Sequence, residues 1–134
     1  MTRKEELFAY ALNNYGVEPD YPFSIAPTYA VLRHQSNRKW FALAMRLPYR
    51  TLGMNREGAV DILNIKCDPF LIGSLRGKPG FLPAYHMNKD KWLTVLLDGS
   101  AGREEITGLL ALSYELTAVK APKKRKAGSS RPEA

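Results

Sequence analysis

Ala59-Val60-Asp61-Ile62-Leu63-Asn64-Ile65-Lys66-Cys67-Asp68-Pro69-Phe70-Leu71 is the stretch whose reading decides the fold class. Residues 59–67 alternate with a period of two: Leu63, Ile65 and Cys67 share one face, and Ile62, Asn64 and Lys66 share the other. That alternation predicts a strand. Asp68 then supplies a side chain suited to a helix N-cap, and Pro69 suits the first helical position. A short helix through Leu71 and Leu75 is expected, closed before Gly77 and Pro79.

Upstream, Lys39 to Leu47 (KWFALAMRL) is apolar on both faces, the pattern of a central strand covered on each side. Thr28 to His34 is rich in strand formers, and the polar Gln35-Ser36-Asn37-Arg38 between the two runs predicts a β-hairpin. The segment before it is broken by Pro19, Pro22 and Pro27. Residues 3–15 predict a helix, with Leu7, Phe8, Ala11, Leu12 and Tyr15 on one face, a Thr2/Glu5 capping box and Gly16 as a left-handed C-terminal cap. Downstream, residues 83–87 and 91–97 predict a second hairpin around Asn88-Lys89-Asp90, and Asp98-Gly99 turns the chain. Ile106, Leu109, Leu110 and Leu116 place a last helix at about 101–118. The fold class is therefore α+β: an antiparallel sheet of two hairpins plus a strand, packed with about three helices, in one domain over residues 1–119.

The chain has 134 residues, of which 45% are apolar, enough for a core without disulfide or metal support. Cys67 is its single cysteine, which excludes an intrachain disulfide and suits a reducing compartment. The charged start Met1 to Glu6 is unlike a signal peptide, and no apolar run approaches the roughly 20 residues of a membrane helix. A cytoplasmic location with no membrane partner is expected. The formal net charge is +7, distributed unevenly. Residues 33–91 carry 11 basic and 4 acidic side chains, whereas residues 1–32 and 92–119 are net acidic. Residues 120–134 add Lys120, Lys123, Lys124, Arg125, Lys126 and Arg131 against Glu133, with no apolar side chain larger than alanine. Such a segment cannot offset its ordering entropy by burial, so a disordered basic tail is expected.

Few residues suggest catalysis. Cys67, His34 and His86 are the candidate soft or borderline metal ligands, with no CxxC or HxxxH spacing between them, so no metal site is expected. Cys67 ends a strand ahead of a helix, where a thiol can be activated, yet it shares the face of Leu63 and Ile65 and reads as a core filler. Gly73, Gly77 and Gly80 do not form a phosphate loop, and no cofactor is expected. The most unusual local sequence is Pro83-Ala84-Tyr85-His86-Met87-Asn88-Lys89-Asp90-Lys91-Trp92. Tyr85, His86 and Trp92 could stack on a base, Asn88 could hydrogen-bond it, and Lys89 and Lys91 could meet phosphates. Sheet packing and turn chemistry explain the same residues without a ligand. The tip at Gln35–Lys39, flanked by Arg33, His34 and Trp40, presents the same pair of accounts. The cluster Lys123 to Lys126 could hold nucleic acid through counterion release, or only solubilise the chain.

Ile65-Lys66-Cys67-Asp68-Pro69, Ala84-Tyr85-His86-Met87-Asn88-Lys89 with Trp92, Leu96-Leu97-Asp98-Gly99 and Ser113-Tyr114 resemble the MmcQ/YjbR family of small bacterial proteins. Tyr21-Pro22-Phe23 and the Trp40–Met45 strand fit the same pattern. The resemblance spans roughly residues 3–118 and leaves out the tail. It departs at Ala84, where glycine is expected, and at Lys91, where histidine is frequent. What the resemblance implies is a compact, double-wing-like α+β fold and the DNA-binding label commonly given to members, with Lys66, Tyr85, His86, Asn88, Lys89 and Trp92 as site residues.

The resulting expectation is a non-catalytic nucleic-acid-binding module with DNA as partner. Arg33, Arg38, Lys39, Lys66, Tyr85, His86, Asn88, Lys89, Lys91 and Trp92 would form its face, and Lys123, Lys124, Arg125 and Lys126 an auxiliary grip. The alternative is a small-molecule or protein-binding module with a cleft around Tyr85, His86 and Trp92.

Overall fold

The strand expected at residues 59–67 forms as β3 (Ala59–Lys66) and lies at the centre of a five-stranded antiparallel sheet. The computed structural model describes residues 2–118. In chain order the elements are α1 (Lys4–Tyr15), β1 (Ala30–Arg33), β2 (Trp40–Pro48), a 3-10 turn (Tyr49–Leu52), β3, α2 (Pro69–Leu75), β4 (Phe81–Pro83), β5 (Trp92–Leu96) and α3 (Arg103–Thr117). The strand order is β1-β2-β3-β5-β4. β2 and β5 flank β3 in registers that set Ala44 opposite Leu63 and Leu63 opposite Val95. Among the described residues no helix is long and apolar enough to cross a membrane.

The alternation of side chains divides the core in two. On one face Ala42 and Ala44 of β2, Leu63 and Ile65 of β3 and Leu93 and Val95 of β5 pack against Leu7 and Ala11 of α1, Ile72 and Leu75 of α2, and Ile106, Leu109 and Leu110 of α3. On the other face Leu43, Met45 and Leu47 of β2, Val60 and Ile62 of β3 and Leu96 carry no α-helix among the described residues. That second face is covered by Phe23 and Tyr29 ahead of β1, Leu52 and Met54 after β2, and Tyr85 and Met87 after β4. The apolar-on-both-sides reading of Lys39 to Leu47 therefore describes a real strand between two unlike layers.

Two local signals are met in detail. Asp68 caps α2 by accepting a 2.8 Å hydrogen bond from the Phe70 amide, with Pro69 at the first turn. Gly16 closes α1 in the left-handed region, at φ 67°. Cys67 is buried against the helices, and burial, with the neighbouring Asp68 charge, pushes its thiol pKa up. Both effects disfavour a thiolate, as the core-filler reading requires.

Other expectations are corrected. Helix α1 begins one residue later than the Thr2 cap implied: Arg3 is the N-cap, its amide donates to Glu6 Oε1 at 2.8 Å, and Thr2 is buried instead. Leu12 and Leu116 are 46% and 47% exposed, because the buried stripes run through Leu7 and Ala11 on α1 and continue through polar Ser113 and Thr117 on α3. Ser113 earns that place by bridging elements: its hydroxyl donates to the Phe41 carbonyl at 2.6 Å and accepts from the Lys66 amide at 2.8 Å. β1 is shorter than Thr28 to His34. The second hairpin has only three residues in its first strand, and residues 84–91 form a long connection in place of a tight tip. The reason is Asn88, whose side chain accepts from the Asp90 amide at 2.8 Å and whose carbonyl accepts from the Trp92 amide at 2.9 Å, folding the loop on itself.

Candidate functional site

The long connection of residues 84–91 is held to the sheet by two buried polar side chains. Thr94 on β5 and Asn64 on β3 sit opposite each other, both fully buried on the helix-free face. The Tyr85 amide donates to Thr94 Oγ1 at 2.9 Å, the Thr94 hydroxyl donates to Asn64 Oδ1, and Asn64 Nδ2 donates to the Tyr85 carbonyl at 3.0 Å. Both backbone polar groups of one residue are thereby satisfied inside an apolar layer, where leaving either unpaired costs about 1–3 kcal/mol. The clamp fixes Tyr85, and His86 follows in the left-handed region at φ 56°, unusual for a residue with a Cβ. The His86 ring stacks on Tyr85 with centroids 4.0 Å apart and planes 22° apart.

This stack forms one wall of a groove of about 420 Å³ on the helix-free face. Met87 continues the loop wall, β2 supplies Trp40, Leu43 and Met45, and the Pro-broken segment supplies Phe23, Ile25, Ala26 and Tyr29. Phe23 meets Trp40 edge-on at 5.7 Å and Tyr29 at 6.4 Å, so the opposite wall is built of perpendicular rings. Ile25 stands on the lip at 99% exposure. Among the described residues no carboxylate or lysine lines the groove. On the far side of the Tyr85–His86 stack a second depression of about 240 Å³ is lined by Leu52, Leu82, Pro83 and Lys89.

The structure does not gather the residues singled out in the sequence into one surface. Tyr85 and His86 line the groove, and Lys89 lies behind them. Asn88 makes the loop turn. Trp92 is no part of the groove: Lys66 Nζ sits 5.9 Å from its ring centroid, and Lys66 and Lys91 line a separate depression with Asp68 and Pro69. Arg33 and Arg38 converge on Asp20, at 2.8 and 3.9 Å, around a third depression with Glu18 and Gln35. Lys39 is exposed at the first hairpin tip. Of the basic side chains in residues 33–91, Arg33, Arg38, Arg46, Arg50, Arg56 and Lys78 pair with carboxylates. Lys39, Lys66, Arg76, Lys89 and Lys91 form no such pair among the described residues. Lys123, Lys124, Arg125 and Lys126 lie outside the described residues.

His34 is structural: buried, with Nε2 2.9 Å from both the Tyr114 carbonyl and Thr117 Oγ1 and its ring 4.1 Å from Tyr114. Burial holds its pKa below the ordinary histidine value. Asp98 anchors the start of the last turn. Burial pushes its carboxyl up, but bonds from Ser100 and Tyr49 and the Arg56 charge outweigh that and hold it below the usual range. Sequence reasoning missed Phe23, Tyr29 and Met45 as site residues, and it missed the Asn64–Thr94 clamp. A polar Asn64 flanked by the apolar Ile62, Leu63 and Ile65 was the available signal for the clamp.

The family model for YjbR matches residues 12–116. The uncharacterized protein YyaQ of Bacillus subtilis (strain 168) is 40% identical over 117 residues, covering 87% of this chain and 99% of YyaQ. A crystal structure of a Pseudomonas syringae protein superposes with a TM-score of 0.83 at 47% identity, covering 88% of this chain and all of that one. The Deinococcus radiodurans protein DR2400, with a DUF419 domain, gives 0.66 at 26% identity, covering 87% of this chain and 78% of that one. The chain belongs to the YjbR family.

Proposed function

We propose that this YjbR-family chain is a non-catalytic binding module that takes a small apolar ligand in the groove on the helix-free face of its sheet. One observation carries the reading: an aromatic-walled groove of about 420 Å³, within the range of small-molecule sites, whose loop wall is held by a fully satisfied buried polar clamp. Preformed walls lower the ordering cost of binding. The fully exposed Ile25 on the lip gains burial when a ligand seats. The test is a titration with planar aromatic compounds followed by NMR. Shifts should concentrate at Trp40, Met45 and Met87 and spare Trp92 and Met54. Ile25→Glu should weaken binding with the melting temperature unchanged, because that side chain touches little. Shifts scattered over the surface, or none, would remove the reading.

A second reading, nucleic-acid binding, is favoured by Lys66, Lys89 and Lys91, which have no carboxylate partner among the described residues. Its signature is a steep fall of duplex-DNA affinity with salt, at a log–log slope of about 0.9 per phosphate neutralised. Replacing all three lysines with alanine should make that slope shallower by about two or three. An unchanged slope would assign any DNA binding elsewhere.

A further inference from the structure

Resting on the groove as the binding site, we infer that Ser24-Ile25-Ala26 is the tip of a strap that closes over the ligand and carries Ile25 from solvent into contact with it. The two walls of the groove are held differently. On the loop wall the Tyr85 amide and carbonyl are bonded to Thr94 and Asn64, and the floor residues Leu43 and Met45 belong to β2. The opposite wall is slung between two anchors. At one end Asp20 pairs with Val31 through hydrogen bonds of 2.9 and 2.8 Å, and at the other the Tyr29 amide donates to the Ala26 carbonyl at 3.1 Å. Among the described residues no backbone–backbone hydrogen bond involves Tyr21 to Ile25, and no residue from Tyr21 to Thr28 is buried. Phe23, edge-on to Trp40 and Tyr29, fixes the chain just ahead of the tip. Pro27 fixes it just after, at the second position of the Ala26–Tyr29 turn, a place that proline favours. Segments with little burial and few backbone hydrogen bonds rearrange at low free-energy cost. With the loop wall clamped and the floor in the sheet, the tip is the part of the groove free to move. Ile25 lines the groove yet is fully exposed, so the open form leaves its side chain unused. Closing over an empty groove encloses a void whose lining atoms lack partners. A seated ligand fills that void and receives Ile25, so it binds the closed form better than the open one, which is the condition for shifting the equilibrium.

The test uses the full chain with isotope-labelled isoleucine methyl groups and 2-naphthol as the probe, followed by NMR without probe and at saturation. Shifts at Trp40 and Met45 report that the groove is filled. The Ile25 methyls should then show NOEs to the naphthol ring protons. Backbone order parameters of Ser24 to Ala26 should rise from below about 0.6 to about 0.85, the value of rigid backbone, while those of Tyr85 to Met87 stay unchanged. Ile25→Ala should keep the fold, because the replaced side chain is fully exposed. It should raise the dissociation constant at least threefold and leave the tip at its probe-free order parameters even with the groove filled. Missing NOEs to Ile25, a tip whose order does not change or is already that of rigid backbone without probe, or full ordering of the tip in Ile25→Ala overturns the strap while the groove stands. If 2-naphthol moves neither Trp40 nor Met45, the groove reading fails and takes this inference with it.

Discussion

Thr94→Val tests the clamp most directly. Valine keeps the shape of threonine and removes only the hydroxyl, so neither cavity nor overpacking contributes. Two groups lose their partner: the Tyr85 amide, which donates to Thr94 Oγ1 at 2.9 Å, and Asn64 Oδ1, which accepts from the Thr94 hydroxyl. Thr94 and Asn64 have no measurable exposure, so water cannot replace the lost bonds without opening the loop. Each orphaned buried group costs about 1–3 kcal/mol, and the two are coupled through one network, so a total loss of about 2–3 kcal/mol is expected. Loop opening limits that loss, because the Tyr85 peptide can rehydrate by leaving the sheet. Urea unfolding reads the global term, and amide exchange at Tyr85 to Met87 reads the local one, which should quicken by about tenfold or more. Thr94→Ser retains the hydroxyl and should recover most of the slow exchange. A Thr94→Val protein within 0.5 kcal/mol of wild type, with Tyr85 exchange unchanged, would refute the clamp.

Ser113→Ala orphans the Lys66 amide and the Phe41 carbonyl at the junction of α3 with two strands, and should lower unfolding free energy in urea by about 2 kcal/mol. Gly80→Ala meets both a φ of +90° and the Ala101 backbone nitrogen 2.9 Å from the new Cβ. A loss of about 2–4 kcal/mol is expected by the same assay. Acid should weaken the fold through His34, whose pKa is lowered by burial. The unfolded chain takes up a proton before the folded one, so this contribution is complete above the free-imidazole value of about 6.5 and is lost as pH falls below it. Urea midpoints between pH 7.5 and 5.5 should drop for wild type and stay flatter for His34→Gln; parallel curves would exclude His34 as the cause. Asp98 works at lower pH. Its carboxyl pKa is depressed, so its contribution is present above the ordinary carboxylate range and is lost as pH falls beneath it, and Asp98→Asn should flatten unfolding curves between pH 4.5 and 3.

The amino-acid sequence by itself determined the element order, the start of α2, the end of α1 and the two-sided burial of β2. These features follow from signals carried within a few residues: a two-residue alternation, an Asp-Pro step, a glycine that can turn left-handed. It also determined that Cys67 is a core residue, because its face was readable from Leu63 and Ile65. The tertiary structure alone decided which chemistry-bearing residues meet. Phe23, Tyr29 and Trp40 come from segments of different character, and only the sheet brings them opposite Tyr85 and His86. Trp92 lies six residues from His86 in sequence, yet it sits with Lys66 outside the groove, because a side chain's place across a sheet follows from its register and not from its nearness in the chain. The same reasoning explains the charges. A cluster of arginines and lysines is visible in the sequence, but Asp20, Glu57, Asp61, Asp98 and Glu105 reach several of them only after folding, through pairings no local pattern encodes.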